Sequence, residues 1–258
     1  IDRLYSGIKI LQIPIKQSKN ELKEICYETV KLNENVFNEN DEHRLMINVS
    51  RGPLSIYSSI FDNIIEPTVI VADFPLKWTI AGMDKLINEG VNAVVTSQRA
   101  IPSHLLDAKI KSRSRLHYQI ANMEAANFKG NNNWPMLIDP DGFIAEGTGH
   151  NIFFVKDKKV FTPEARNILV GISRNYIFEI CKQIGIECVE KNLEIFNAYE
   201  ADESFVTATP FCLLPVSKIN GHKVGESVLG SITKKIHDQW SKNVGLDIFD
   251  QIRQYSKE

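Results

Sequence analysis

The sequence of 258 residues predicts an α+β fold. Segments with apolar residues at helical spacing are interspersed with short apolar or alternating segments typical of strands. They lack the regular strand–helix–strand rhythm of a doubly wound parallel sheet. Internal repeats and low-complexity tracts are absent, and a hydrophobic content of 43% suffices for one large core or two modest ones.

The first part of the chain, 1–75, is predicted to form a small N-terminal domain. Its elements are helices at 4–11 and 21–32 and strands at 43–49 and 68–72. The following stretch begins in an irregular, proline-bearing segment, and we interpret 76–88 as a linker.

The remaining residues, 89–258, are predicted to form a large domain that begins with a strand at 90–96. Further segments with regular patterns are helices at 116–128 and 173–184 and strands within 135–155, at 160–162 and at 201–209. The Asp139–Gly142 stretch indicates a hairpin turn. Lys109 and Lys111 alternate with apolar residues, which predicts that both lie on one face of an extended segment.

Composition excludes several classes of partner. Thirty basic and 32 acidic residues give a net charge of −2 without a basic block, so neither nucleic acid nor an anionic membrane is an expected partner. No run of 18 apolar residues exists that could span a bilayer. The four cysteines form no CxxC pair or metal-ligand spacing, which predicts reduced thiols, no metal and a cytoplasmic location.

Two motifs carry the chemistry of this chain. Glu146 ends a strand and is followed by Gly-Thr-Gly-His-Asn-Ile-Phe, in which two glycines permit a tight turn beside the carboxylate. Gly171-Ile-Ser-Arg174 opens an amphipathic helix, whose free N–H groups favour an anion. Capping alone is the commonest explanation of a serine such as Ser173 at a helix start.

These motifs, together with Lys111 and Thr207-Ala-Thr-Pro210, resemble the class IV aminotransferases in order and spelling. That family includes branched-chain aminotransferase, D-amino acid aminotransferase and aminodeoxychorismate lyase. The resemblance implies fold type IV: two α/β domains with pyridoxal phosphate at the domain interface, and a homodimer acting on an amino acid and a 2-oxo acid. It also implies that strands preceding Ile1 are missing from the small domain.

The resemblance also implies roles for individual residues. Lys111, thirteen residues before Glu124, corresponds to the lysine that binds the cofactor covalently, and Glu146 to the partner of the pyridine nitrogen. Phosphate contacts are implied for Arg3, Ile172, Ser173 and Thr209. Arg115 falls where branched-chain enzymes carry a tyrosine near the phenolate oxygen, although a salt bridge is an equally good interpretation.

The substrate side is less well defined. Arg44, Thr209 and Pro210 correspond to substrate-side positions of branched-chain enzymes. Proline has no N–H that could bind a substrate carboxylate. Either another group recognises the carboxylate, or the substrate differs from that of the branched-chain enzymes. Two alternatives therefore remain beside an aminotransferase: a lyase that releases pyruvate from aminodeoxychorismate, which the Lys111–Leu116 sequence favours, and an inactive member with a binding role.

Overall fold

A computed structural model describes residues 1–62, 64 and 66–257. The chain divides into two compact units, Ile1–Thr79 and Ile80–Glu258. The predicted boundaries at 75 and 89 stay a prediction. The stretch interpreted as a linker includes the short helix α3 (Lys77–Ile80) and all but the last residue of α4 (Asp84–Glu89). No helix among the described residues has the length and apolar character needed to cross a membrane.

The first unit places two helices beside a two-stranded antiparallel sheet. Its elements are α1 (Asp2–Ile10), α2 (Lys19–Asn33), β1 (His43–Ser50) and β2 (Thr68–Pro75), with 3₁₀ helices at Glu34–Val36 and Ser55–Phe61. The start of α2 is fixed by a capping box, in which Ser18 and Glu21 each bind the other's backbone N–H. The predicted helices and strands of this part are confirmed.

The second unit is built on one mixed sheet. Its strands are β3 (Val91–Arg99), β4 (Asn133–Ile138), β5 (Ile144–Gly147), β6 (Asn151–Lys156), β7 (Lys159–Pro163), β8 (Cys188–Lys191), β9 (Glu203–Ala208), β10 (Cys212–Ile219) and β11 (His222–Lys223). The order is β5-β4-β3-β10-β9-β6-β7-β8, with β11 beside β10. The β3–β4, β3–β10 and β7–β8 pairs are parallel, and the other described pairs are antiparallel.

Helices flank the sheet of the second unit. They are α4, α5 (Leu116–Ala126), α6 (Ile172–Gln183), α7 (Ile195–Tyr199), α8 (Ser231–Val244) and α9 (Ile248–Tyr255). Helix α5 packs against β3 and β4 through the small buried residues Ala121 and Ala125. Its larger apolar residues, Leu116, Ile120 and Met123, are exposed. The predicted helix is therefore confirmed, while the face that packs on the sheet is the one with the smaller side chains.

One local prediction is wrong. The segment before α5 is a series of turns instead of an extended strand, since the N–H of Ile110 donates to the carbonyl of Asp107 over 3.0 Å. Strand alternation therefore does not place Lys109 and Lys111 on one face. Lys109 Nζ lies 3.4 Å from both Asp107 Oδ1 and the carbonyl oxygen of Arg166.

Candidate active site

The carboxyl group of Glu146 lies at the centre of the candidate site. The residue is on β5, an edge strand, yet only 4% of it is exposed. Three donors hold its two oxygens: the Tyr118 hydroxyl reaches Oε1 over 2.8 Å, while the Leu169 N–H and Asn151 Nδ2 reach Oε2 over 3.0 and 3.2 Å. A buried carboxyl group held in this way is oriented by protein atoms.

Burial also changes the acidity of this group. Loss of hydration raises the pKa of Glu146 from its ordinary value of 4.5 to about 7. The hydrogen bonds from Tyr118 and Leu169 and the positive charges of Arg115 and Lys111 oppose that rise. The carboxyl group therefore gains or loses its proton near neutral pH, and two cationic side chains act on it.

Tyr118 is a site residue that the sequence motifs did not single out. It lies in the first turn of α5, and the guanidinium group of Arg115 is 5.4 Å from its ring centroid. Arg115 Nε donates to the carbonyl of Ser112 over 2.7 Å. The spacing of three residues between Arg115 and Tyr118 was the available signal, because such pairs are neighbours on a helix surface.

Lys111 itself is exposed in the loop that leads to α5. Its positive charge lowers the pKa of Glu146, which places the amine within electrostatic range of that carboxyl group. The structure thus brings Lys111, Arg115 and Glu146 into one region of the second unit.

The amino end of α6 borders the same region. Gly171 is the N-cap and no side chain caps the helix, so Ile172 and Ser173 are its first two residues. Ser173 is therefore not the cap, contrary to the simplest interpretation of its position. The N–H groups of the first turn have no partner within the helix, which makes this end suited to an anion.

Asn151 connects the start of α6 to Glu146. Its Nδ2 donates to the carbonyl of Leu169 over 3.0 Å as well as to the glutamate. A Cβ atom on Gly171 would lie 2.2 Å from Asn151 Oδ1, so a glycine is required for this approach. The segment entering α6 is consequently locked to the carboxyl group by both the Leu169 backbone and the Asn151 side chain.

Arg174 and His150 support the surrounding structure. Arg174 is buried and donates to the Pro163 carbonyl and to Glu190, both over 2.9 Å, so it braces α6 against β7 and β8. The His150 ring packs against Gly147, where an added Cβ would come within 2.0 Å of it. Burial lowers the pKa of His150 to about 4, so the ring is neutral at physiological pH.

The turn after β9 contains the other predicted residues of this unit. Thr209 is exposed and Pro210 is half-buried, immediately beyond the strand. Thr207, on β9, is opposite Asn151 of β6 in the strand pairing. Its buried Oγ1 has no hydrogen-bond partner among the described residues. Thr207 begins the Thr207–Pro210 motif of the sequence, and that motif was the available signal.

Two predicted residues belong to the first unit. Arg3 is half-buried on α1, and Arg44 of β1 donates to the Thr79 hydroxyl over 2.6 Å. Their roles toward a cofactor or substrate stay predictions, as do the ligand contacts of Ile172, Ser173, Thr209 and Pro210.

The chain belongs to the class IV aminotransferases, whose family model, described as "Amino-transferase class IV", matches residues 1–219. The predicted resemblance and the α+β fold are thereby confirmed, and the protein is an aminotransferase of this pyridoxal-phosphate-dependent class.

Several relatives are branched-chain enzymes. A putative branched-chain-amino-acid aminotransferase of Methanocaldococcus jannaschii is 33% identical over 258 residues, covering 97% of this chain and 84% of the relative. The branched-chain-amino-acid aminotransferase of Escherichia coli strain K12 is 30% identical, with coverage of 92% and 74%.

Solved structures agree with this assignment. A crystal structure of the Escherichia coli branched-chain aminotransferase has a TM-score of 0.79 and 29% identity, covering 95% of this chain and 77% of that one. The enzyme of Thermoproteus uzoniensis, solved with norvaline, has a TM-score of 0.78 and 25% identity, with coverage of 98% and 79%.

Proposed function

We propose that this aminotransferase binds pyridoxal phosphate through Lys111 and Glu146 and transfers an amino group from a branched-chain amino acid to a 2-oxo acid. The observation that carries the cofactor assignment is the Glu146 carboxyl group, buried and held by three donors. The names of the relatives support the substrate class. D-amino acids are the other donors that the family resemblance suggests.

The residues present fit this cofactor. A carboxyl group whose pKa is about 7 would suit a basic ring nitrogen, with which it could share a proton. The amino end of α6 offers N–H groups and the Ser173 hydroxyl to a phosphate. The buried Thr207 Oγ1, which lacks a partner within the described residues, provides a further polar group on β9.

Each residue then has a defined task. When bound, pyridoxal phosphate supplies an electron sink that acidifies the Cα–H bond of the amino acid. Lys111 would hold the cofactor covalently through Nζ, and its free amine would take the proton from the substrate Cα. Glu146 would keep a proton at the ring nitrogen. Ile172, Ser173 and Thr209 of the second unit would hold the phosphate, and the family resemblance suggests the same task for Arg3 of the first unit.

Recognition of the substrate carboxylate requires groups other than the N–H that Pro210 lacks. Arg44 and Thr209 are the residues we propose for this side of the substrate. We also propose that the protein acts as a homodimer, as the family resemblance suggests. A cytoplasmic location is supported by the free thiols of its four cysteines.

The decisive experiment compares Lys111→Ala with Lys109→Ala. Both remove an amine from the same loop, and Lys109 Nζ lies beside Asp107 Oδ1 and the Arg166 carbonyl oxygen, so Lys109→Ala is the matched control. Wild type and Lys109→Ala should show the visible absorption band of lysine-bound pyridoxal phosphate, and borohydride reduction should leave a mass adduct on Lys111. Lys111→Ala should lose both, with amine transfer reduced on the order of 10²–10⁴-fold or more.

An activity panel then identifies the reaction. L-leucine, L-isoleucine, L-valine and D-alanine are tested as donors to 2-oxoglutarate and pyruvate. The Lys111–Leu116 sequence favours aminodeoxychorismate lyase as a second candidate, so release of pyruvate from aminodeoxychorismate is measured in parallel. Absence of an adduct on Lys111 in the wild type would refute the cofactor assignment and leave an inactive member with a binding role.

A further inference from the structure

We propose that Tyr118 and Arg115 are positioning residues: Tyr118 fixes the Glu146 carboxyl group, and Arg115 ties Tyr118 to the loop that carries Lys111. The inference rests on the proposed function of Lys111 and Glu146. The proposal adds a series of contacts that runs from Ser112 through Arg115 and Tyr118 to Glu146.

The two oxygens of Glu146 are held differently. Oε2 accepts hydrogen bonds from the Leu169 N–H and from Asn151 Nδ2. Within the described part of the chain, Oε1 accepts one hydrogen bond, from the Tyr118 hydroxyl over 2.8 Å. A carboxylate oxygen has room for two donors, so Tyr118 orients Oε1 and leaves it one further acceptor position.

Tyr118 is itself held from two sides. Its ring packs against a buried cluster of Ala100, Ala121, Leu137, Ala145 and Ile168. The Arg115 guanidinium group lies 5.4 Å from the ring centroid, and the His117 ring centroid is 4.2 Å away. The phenol is therefore a fixed donor, and little side-chain freedom remains to be lost when it binds the carboxylate.

Arg115 extends this support to the lysine loop. Its Nε donates to the carbonyl of Ser112 over 2.7 Å, and Ser112 directly follows Lys111 in the chain. The amine-bearing loop and the carboxyl group are thus joined through two side chains. Reactive groups must be held at a defined separation for efficient proton transfer, and these contacts supply a restraint on that separation.

The first test measures the pKa of the Glu146 carboxyl group by ¹³C NMR in the full chain without cofactor, with Glu146→Gln assigning the signal. Tyr118→Phe removes a donor that stabilises the charged form, so the pKa should rise by roughly 0.5–1 unit. Tyr176→Phe is the matched control, because its hydroxyl bonds only Asn243 among the described residues. An unchanged pKa in Tyr118→Phe, or a fall caused by entry of water, would refute the proposed role.

The second test separates the charge of Arg115 from its geometry. Arg115→Lys keeps a cation but loses the planar group that stacks on Tyr118 and bonds the loop. The Glu146 pKa should rise in this variant too, and the double variant with Tyr118→Phe should give less than the sum of the two shifts. Additive shifts, or no shift in Arg115→Lys, would show that Arg115 does not act through Tyr118.

The third test measures pyridoxal phosphate affinity and the pH dependence of its visible band. Both variants should bind roughly three- to tenfold more weakly and shift the spectral pH midpoint, whereas Tyr176→Phe should do neither. Wild-type affinity together with an unshifted midpoint would contradict the link to Lys111. If wild type forms no adduct on Lys111, the proposed function fails, while the carboxyl titration still decides the role of Tyr118.

Discussion

The N–H of Leu169 donates to Glu146 Oε2 over 3.0 Å and joins the segment that enters α6 to the edge strand β5. The carboxyl group and the amino end of α6 are distant in sequence, and this backbone bond connects them together with the Asn151 side chain. An anion held at the helix end and a ring nitrogen held at the glutamate would therefore be positioned by the same short segment.

Removing the ionisable group of Glu146 should change how stability depends on pH. The folded chain holds this proton up to about pH 7, whereas an unfolded glutamate releases it near 4.5. Because the folded state binds more protons in that interval, the free energy of unfolding falls as pH rises through it. Glu146→Gln cannot ionise, so its stability relative to wild type should increase with pH, by up to about 3 kcal/mol above pH 8.

Urea denaturation without cofactor, at several pH values between about 4.5 and 8, measures this difference. His150, whose pKa is lowered by burial, contributes a pH trend of opposite sign, but it does so equally in both proteins and cancels. Glu179→Gln, at an exposed position on α6, controls for loss of a surface charge. A difference between Glu146→Gln and wild type that is independent of pH would contradict the raised pKa.

A methyl group at Gly171 should disrupt the connection between α6 and the carboxyl group. The added Cβ would lie 2.2 Å from Asn151 Oδ1, so Asn151 must move away from Leu169 and Glu146. The backbone of Gly171 has φ of −66°, which alanine adopts without strain, and the cost is therefore one of crowding. Gly171→Ala should lose about 1–3 kcal/mol of unfolding free energy and bind pyridoxal phosphate more weakly.

Gly149→Ala provides the comparison, since no atom lies within 4 Å of the Cβ that it would add. Its unfolding free energy should stay within about 0.5 kcal/mol of wild type. Equal stabilities for the two alanine variants, measured by urea denaturation, would show that the close approach at Gly171 is unimportant.

Much of the fold was predictable because its signals are local. The helical spacing of α2 and α6, the hairpin turn between β4 and β5, and the glycines beside Glu146 are each written in a few consecutive residues. The exceptions are also local. The sequence around Lys111 predicts an extended segment, but the N–H of Ile110 donates to the Asp107 carbonyl and closes a turn there.

The sequence predicts a site residue only where that residue lies within a recognisable motif. Tyr118 is not predictable as a site residue, because its hydrogen bond to Glu146 joins positions 28 residues apart and depends on how α5 packs on the sheet. That packing uses Ala121 and Ala125, whereas hydrophobic periodicity emphasises the larger Ile120 and Met123, which are exposed. Side-chain size, not periodicity, determines how closely the helix approaches the strands.

The unpaired hydroxyl of Thr207 should contribute nothing favourable to stability in the absence of ligand. Its Oγ1 is buried without a partner in the described part of the chain, whereas the equally buried Thr162 donates to the Ile152 carbonyl over 2.8 Å. Valine replaces threonine with the same shape, so Thr207→Val should be neutral or more stable by up to about 1 kcal/mol. Thr162→Val should instead lose about 1–2 kcal/mol of unfolding free energy, because it breaks a formed bond. Urea denaturation of the two variants without cofactor tests this contrast. An equal loss in both would mean that the Thr207 hydroxyl has a hydrogen-bond partner in solution.

If pyridoxal phosphate uses this hydroxyl, the cofactor should raise the stability of wild type more than that of Thr207→Val, since only the wild type gains the bond.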